Sequence, residues 1–137
     1  MPKVIGVLET GLYVENVERA AKFYEDVFGF ERMVSDDRFC AFAVARGSVL
    51  LLFRRGGTTQ PTTLPGGVLP PHDGSGQTHF ALSIERSELE PWVKTLKDKQ
   101  VEIESRVTWP RGGQSIYFRD PDQNLLELAT PGVWPVF

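Results

Sequence analysis

Two stretches of the chain share one pattern, and this repeat restricts the possible folds more than any other feature of the sequence. Residues 9–15 align without a gap with residues 79–85, and an amphipathic segment follows each stretch. Each stretch is strand-like, the amphipathic segment has helical spacing, and further strand-like runs come after it. A four-stranded sheet with one helix covers only one of its faces, which favours pairing with a copy. The sequence therefore predicts an α+β fold built from two βαβββ modules.

The first module is expected at about residues 4–55. We predict an opening strand over residues 4–14, followed by a helix that Asn16 caps at its start and Gly29 ends. The helix carries apolar residues at helical spacing, so one of its faces should pack on the sheet. Three further strands are predicted over residues 31–35, 39–45 and 48–53.

The second module is expected at about residues 78–130 and repeats the same order. A strand over residues 78–85 leads to a helix at which Ser87 and Glu90 have the spacing of a capping box, where each side chain bonds a free amide of the other. Pro91 is tolerable there because amides of the first helical turn lack partners inside the helix. Three strands are predicted over residues 101–107, 115–119 and 125–129.

A segment rich in proline and glycine, residues 56–77, separates the modules. So many turn-forming residues cannot sustain a helix or a central strand, so we predict a loop that joins the two modules. The whole chain of 137 residues is then one domain made of two modules.

Composition excludes several classes of function. The formal net charge of −3 gives no basic surface for nucleic acid or anionic lipid. The longest apolar runs fall far short of the roughly 20 residues that cross a bilayer. Cys40 is the only cysteine, which excludes an internal disulfide and a cysteine-built metal site. We expect a cytoplasmic protein.

Several segments together resemble one known superfamily. They are residues 14–24, the Phe28-Gly29-Phe30 sequence, His79 and residues 117–127. Their order and spacing resemble the vicinal oxygen chelate superfamily, which includes glyoxalase I, extradiol dioxygenases, fosfomycin-modifying enzymes, methylmalonyl-CoA epimerase and bleomycin-binding proteins. The resemblance implies a cup-shaped, partly open β-barrel of two βαβββ modules, a homodimer, and a divalent metal held on inner strands.

Carried over residue by residue, the resemblance implies Glu9, His79 and Glu127 as metal ligands. The remaining ligand position of the family falls near Leu51, which has no donor atom, so a three-ligand site with open positions is expected. Two carboxylates and one imidazole suit Mn, Fe, Co, Ni or Zn as divalent ions. Glu127 or Glu9 could instead act as the catalytic general base.

Residues expected to border the cup are candidates for substrate binding. They are Arg38, Phe42, Phe53, Trp109, Tyr117 and Arg119. Aromatic rings there could line an apolar pocket and arginine could orient an anionic group, although core packing or plain surface exposure is the ordinary alternative for each. For His72, in the proline-rich loop, a solvated loop histidine is the simplest expectation.

The leading functional hypothesis is a metal-dependent enzyme that acts on a small oxygen-rich substrate by isomerase, epimerase, lyase or dioxygenase chemistry. A second hypothesis is a metal-independent protein of the bleomycin-resistance type that binds a drug or metabolite. Thiol transfer to an epoxide is a third, for which the sequence reveals no thiol pocket. A small molecule is the expected partner in every case, with neither nucleic acid nor membrane.

Overall fold

The computed structural model describes residues 1–137 and divides into two compact units, Met1–Ser75 and Gly76–Phe137. Each unit has one four-stranded sheet and one main α-helix, of 12 residues in the first unit and 10 in the second. The α+β class and the repeated βαβββ order are confirmed. No helix is long and apolar enough to span a bilayer.

The first unit contains the predicted βαβββ elements. They are β1 (Glu9–Val14), α1 (Val17–Phe28), β2 (Glu31–Ser35), β3 (Phe39–Ala45) and β4 (Ser48–Arg54). The sheet order is β1-β4-β3-β2, and β1 runs parallel to β4 while the other pairs are antiparallel. The predicted start of β1 at Val4 was wrong. The partner strand β4 pairs Val49 with Glu9, so the residues before Leu8 have no strand to bond and are exposed.

Both predicted ends of α1 are confirmed. The Asn16 side chain accepts a hydrogen bond of 2.9 Å from the Arg19 amide, and Gly29 ends the helix at φ 69° with its amide donating to the Glu25 carbonyl. The apolar stripe of α1 is buried at Val17, Ala20, Ala21, Tyr24 and Val27. This stripe packs on one face of the sheet, so the side chains on the other face point away from α1.

The proline- and glycine-rich segment is more ordered than predicted. It contains a short antiparallel hairpin of β5 (Thr62–Leu64) and β6 (Gly67–Leu69), with Thr62 paired to Leu69. Threonine, valine and leucine flank the Pro65-Gly66 turn, and these residues favour strand pairing. The prediction of a loop considered only the many prolines and glycines of the segment. The segment up to Ser75 belongs to the first unit.

The second unit repeats the topology. Its elements are β7 (His79–Ser83), α2 (Leu89–Asp98), β8 (Ser105–Thr108), β9 (Gln114–Arg119) and β10 (Leu125–Ala129). The sheet order is β7-β10-β9-β8, again with the first and last strands parallel. β10 has the predicted bounds, whereas β8 begins four residues later than the predicted residue 101.

The predicted capping box at the start of α2 was wrong. A 3₁₀ turn over Arg86–Glu88 precedes the helix, and Glu88 occupies the N-cap without a side-chain cap bond. Ser87 lies inside that turn. Because α2 begins only at Leu89, the Ser87 hydroxyl is not at the N-cap position. Pro91 lies in the first turn of α2, as expected.

Strand register makes the two sheets equivalent position by position. Glu9 and His79 each begin the first strand of their unit. Two residues further along those strands, the neighbours on the parallel partner are Leu51 in the first unit and Glu127 in the second. Leu51 thus occupies the place that a carboxylate occupies in the second sheet.

Candidate metal centre

Glu127 lies on the sheet face that α2 does not cover. Its neighbours Leu126 and Leu128 point to the opposite face and are each 1% exposed, whereas the Glu127 residue is 7% exposed. A carboxylate this buried must be paired or hydrogen-bonded, because removing an isolated charge from water is costly.

His79 lies against this carboxylate in a fixed orientation. Its Nδ1 is 2.8 Å from the Leu125 carbonyl oxygen, and its Nε2 is 3.3 Å from Glu127 Oε1. A carbonyl can only accept, so Nδ1 carries a hydrogen and Nε2 is the ring nitrogen that faces the carboxylate. Nε2 and Oε1 are placed so that they can share either a proton on Nε2 or a metal ion.

The second oxygen of Glu127 is held by a chain of two donors. The Ser115 hydroxyl donates to Glu127 Oε2 at 2.5 Å, and the Trp109 indole N–H donates to Ser115 Oγ at 2.8 Å. Ser115 is fully buried. Oε1 is therefore the oxygen of Glu127 that faces His79.

Tyr117 pairs directly with Glu127 across β9 and β10. Burial raises the pKa of the Tyr117 hydroxyl above its ordinary value, and the negative charge of Glu127 raises that pKa further. Its ring centroid is 6.2 Å from that of His79. A phenol that keeps its proton beside the carboxylate can donate a hydrogen bond to an anionic oxygen of a ligand.

The third predicted ligand belongs to the other unit. Glu9 is the first residue of β1 and is exposed. Within either unit, no group of three or more His, Cys, Asp or Glu side chains is arranged to hold a metal ion. The second unit thus supplies two converging donors, whose chemistry suits a divalent ion, and the place of Glu9 in the ligand set stays a prediction.

Comparison with known proteins shows the family of the chain. Residues 6–128 match the model of the Glyoxalase/Bleomycin resistance protein/Dioxygenase superfamily. The chain belongs to this superfamily. The resemblance drawn from residues 14–24, His79 and 117–127 is confirmed.

Three proteins of known name are similar to this chain. The chain is 31% identical over 118 residues to the metallothiol transferase FosB of Staphylococcus saprophyticus, covering 85% of this chain and 71% of that protein. It is 30% identical over 137 residues to FosB of Shouchella clausii, covering 93% and 81%. The crystal structure of lactoylglutathione lyase from Agrobacterium tumefaciens superposes with a TM-score of 0.89 at 28% identity, covering 98% and 99%.

Two of the substrate-binding candidates are occupied by structural contacts. Phe42 is 0% exposed and packs against Tyr24 and Phe30 with centroid distances of 6.3 Å, so the prediction that it lines a pocket was wrong. Even strand positions on β3 point toward α1, which places this ring in the core. Arg119 bonds Glu104 at 3.1 Å and the Gln123 carbonyl at 3.1 Å.

Arg38 and Phe53, by contrast, line a cavity of about 270 Å³ within the first unit. Phe39 stacks beside Phe53 at a centroid distance of 5.3 Å, and the β5–β6 hairpin contributes Leu64 and Leu69. This cavity lies on the face of the first sheet away from α1. It offers an aromatic surface with one guanidinium on its lining.

His72 also lines this cavity, and it is an exposed loop residue, as expected. Its Nδ1 is 2.6 Å from the Tyr13 hydroxyl oxygen, and its ring meets Phe53 edge to face at 4.6 Å. The loop approaches Tyr13 so closely that a Cβ at Gly74 would lie 2.4 Å from the Tyr13 ring. A lone glycine among many gives no sequence signal that would single out this packing.

Proposed function

We propose that the protein is a divalent-metal-dependent enzyme that handles a thiol-bearing small molecule, with thiol transfer to an oxygen-rich electrophile as its first candidate reaction. The single observation that carries the proposal is the convergence of His79 Nε2 and Glu127 Oε1 at 3.3 Å, with His79 Nδ1 bonded to a backbone carbonyl. An outer hydrogen bond on the distal nitrogen is the usual arrangement of a metal-ligating histidine.

The relatives guide the choice of reaction. A metallothiol transferase and a lactoylglutathione lyase are named activities of proteins at 28–31% identity, and both names join a thiol compound to small-molecule chemistry. This favours the thiol-transfer hypothesis over dioxygenase or epimerase chemistry, which the sequence had placed first. Lyase chemistry on a thiol adduct is the nearest alternative reaction.

The proposed ligand set is His79 and Glu127 with Glu9 as the third donor, and Mn, Fe, Co, Ni and Zn are the candidate ions. A metal there would polarise an oxygen of the substrate and stabilise negative charge that develops on it. Tyr117, kept protonated beside Glu127, would donate a hydrogen bond to the same anionic group. Burial of Glu127 keeps water from competing for its carboxylate.

A second candidate function is a binding protein without a catalytic metal. The observation in its favour is the aromatic cavity of the first unit, lined by Arg38, Phe39 and Phe53. A ligand with a flat apolar group and an anionic group would suit that lining. In this alternative Arg38 and Phe53 bind the ligand and the His79–Glu127 pair carries a proton only.

Elemental analysis of the protein as purified, together with a thiol-consumption assay, separates these functions. We expect about one tightly held divalent ion per chain and loss of free thiol when an epoxide such as fosfomycin is supplied. Glu9→Gln, His79→Ala and Glu127→Gln should each lower metal content, whereas Glu31→Gln, at an exposed strand position, should not. Full metal content in all three site variants would remove the site from consideration.

Formation or breakdown of lactoylglutathione, followed in the same preparations, distinguishes lyase from transferase. Tight binding of an aromatic anion by protein that holds no metal would instead favour the binding function. Arg38→Ala should abolish that binding and leave metal content unchanged, which keeps the two outcomes separate.

A further inference from the structure

We infer that Ser115 and Trp109 are positioning residues that fix the Glu127 carboxylate, so that Oε1 is the oxygen presented to the metal. The inference deepens the proposed function and depends on it. It begins from the Trp109–Ser115–Glu127 chain, whose links measure 2.8 and 2.5 Å. Trp109 was a candidate for substrate contact, but its indole N–H is already used inside the protein.

Hydrogen-bond chemistry determines the direction of this chain. An indole N–H can only donate, so Ser115 Oγ is the acceptor at that end. An ionised carboxylate can only accept, so the Ser115 hydroxyl is the donor in its bond of 2.5 Å to Glu127 Oε2. The link from Ser115 to Glu127 is charge-assisted, and the Tyr117 hydroxyl also hydrogen-bonds both residues.

Burial makes the chain hard to replace. Ser115 is fully buried and Glu127 nearly so, which means that bulk water cannot take the place of a lost hydroxyl at Oε2. A buried acceptor that loses its donor suffers the full cost of desolvation. With Oε2 held, rotation about the last side-chain bond of Glu127 is restricted, and Oε1 remains directed at His79 Nε2 at 3.3 Å.

The first unit shows that the fold does not require a hydroxyl here. Ser115 lies two residues before Tyr117, which pairs with Glu127, and Phe39 lies two residues before Ala41, which pairs with Leu51. By strand register, the position of Ser115 in the second sheet therefore corresponds to that of Phe39 in the first. Phe39 packs against Phe53 in a sheet that has Leu51 at the carboxylate position. The hydroxyl occurs in the sheet where a carboxylate needs to be oriented.

Mn²⁺ titration of the metal-free full chain by calorimetry tests the inference. We expect Ser115→Ala to weaken Mn²⁺ binding about 10- to 100-fold, as removal of an outer hydrogen-bond partner does at other metal sites. Trp109→Phe should weaken it less, because the serine donor remains. Ser115→Cys retains a weaker donor of similar size and should fall between wild type and Ser115→Ala.

A neighbouring hydroxyl provides the matched control. Thr130 is as buried as Ser115, and its Oγ accepts from the Gln114 amide at 2.9 Å. Thr130→Val removes this hydroxyl from the same unit and should leave the Mn²⁺ affinity unchanged. Equal weakening in Thr130→Val and Ser115→Ala would mean a general loss of packing and would overturn the inference.

The remaining outcomes separate this inference from the proposed function. If Ser115→Ala binds Mn²⁺ like wild type while Glu127→Gln binds it poorly, the positioning role is overturned and the metal site stands. If wild type itself does not bind the tested ion, both are overturned for that ion.

Nitrogen–proton NMR of the metal-free protein gives a readout that needs no metal. Glu127→Gln should shift the indole N–H resonance of Trp109, because the carboxylate charge polarises the hydrogen-bond chain through Ser115. The indole resonance of Trp134, which is exposed, should stay in place. An unmoved Trp109 resonance would contradict the chain.

Discussion

The two sheets have the same order and register, yet their faces away from the helices differ in character. At the carboxylate position the first sheet has Leu51 and the second has Glu127. On the adjacent antiparallel strands, opposite these residues, the first has Ala41 and the second has Tyr117. The first face is apolar and borders a cavity, and the second carries converging polar groups. The two sheets have the same strand arrangement, so their chemical difference comes from a few side chains that point away from the core.

Loss of side-chain volume should lower the free energy of unfolding more on the helix-facing side of a sheet than on its other side. Phe42→Ala tests this and has the largest expected effect. Phe42 is fully buried, so its removal should lower the free energy of unfolding by about 3–5 kcal/mol. Phe53→Ala, on the cavity side of the same sheet, should have a clearly smaller effect. Urea unfolding measures both, and equal losses would contradict the distinction between the two faces.

Glu127→Leu gives the second sheet the side chain of the first. We expect Mn²⁺ affinity to fall about 100-fold or more, because a leucine has no donor atom. The free energy of unfolding should fall by about 1–3 kcal/mol, because the buried Ser115 hydroxyl loses its acceptor. Calorimetry and urea unfolding give the two values. Retained Mn²⁺ affinity would mean that the metal does not need this carboxylate.

Gly74→Ala tests the packing of the loop on the first sheet. Its Cβ would lie 2.4 Å from the Tyr13 ring, so the loop or the ring must move, at a cost of about 1–3 kcal/mol. Gly66→Ala is the control, because a Cβ there meets nothing within 4 Å. Thermal unfolding that fails to separate these variants would show that the loop does not pack on Tyr13.

The smallest expected effect concerns the titration of Tyr13. Burial raises the pKa of Tyr13, and the nearby negative charge of Asp73 raises it further. Asp73→Asn should therefore lower the Tyr13 pKa, measured by ultraviolet absorption of tyrosinate, and leave that of Tyr117 unchanged. Because the folded-state pKa is raised, the stabilisation by neutral Tyr13 is present below about pH 10 and is lost as the pH rises above it. A change in the pKa of both Tyr13 and Tyr117 would contradict the expectation that Asp73 acts on Tyr13 alone.

Local patterns predicted the elements well where the sequence itself carries the constraint. Asn16 and Gly29 bound α1 because a cap and a left-handed residue are local requirements. The start of β1 could not be predicted, since it depends on where β4 begins to pair. The capping box at Ser87 failed because a 3₁₀ turn competed with it.

The candidate site was predictable only in part. His79 and Glu127 were found through the repeat and the family resemblance, and they are adjacent. Ser115 was missed, because a serine in a strand has no pattern of its own and its role appears only when Trp109 and Glu127 are brought beside it. The contact between His72 and Tyr13 was not predicted for the same reason, because Tyr13 is distant in sequence.

The central claim is that His79 and Glu127 share a divalent cation, and a crystal structure of the protein grown with Mn²⁺ tests it most directly. The account predicts an anomalous scattering peak at about 2.0–2.3 Å from both His79 Nε2 and Glu127 Oε1, as expected for a first-row divalent ion bound by nitrogen and oxygen. A peak elsewhere, or a pair held together by a proton alone at saturating Mn²⁺, would contradict it.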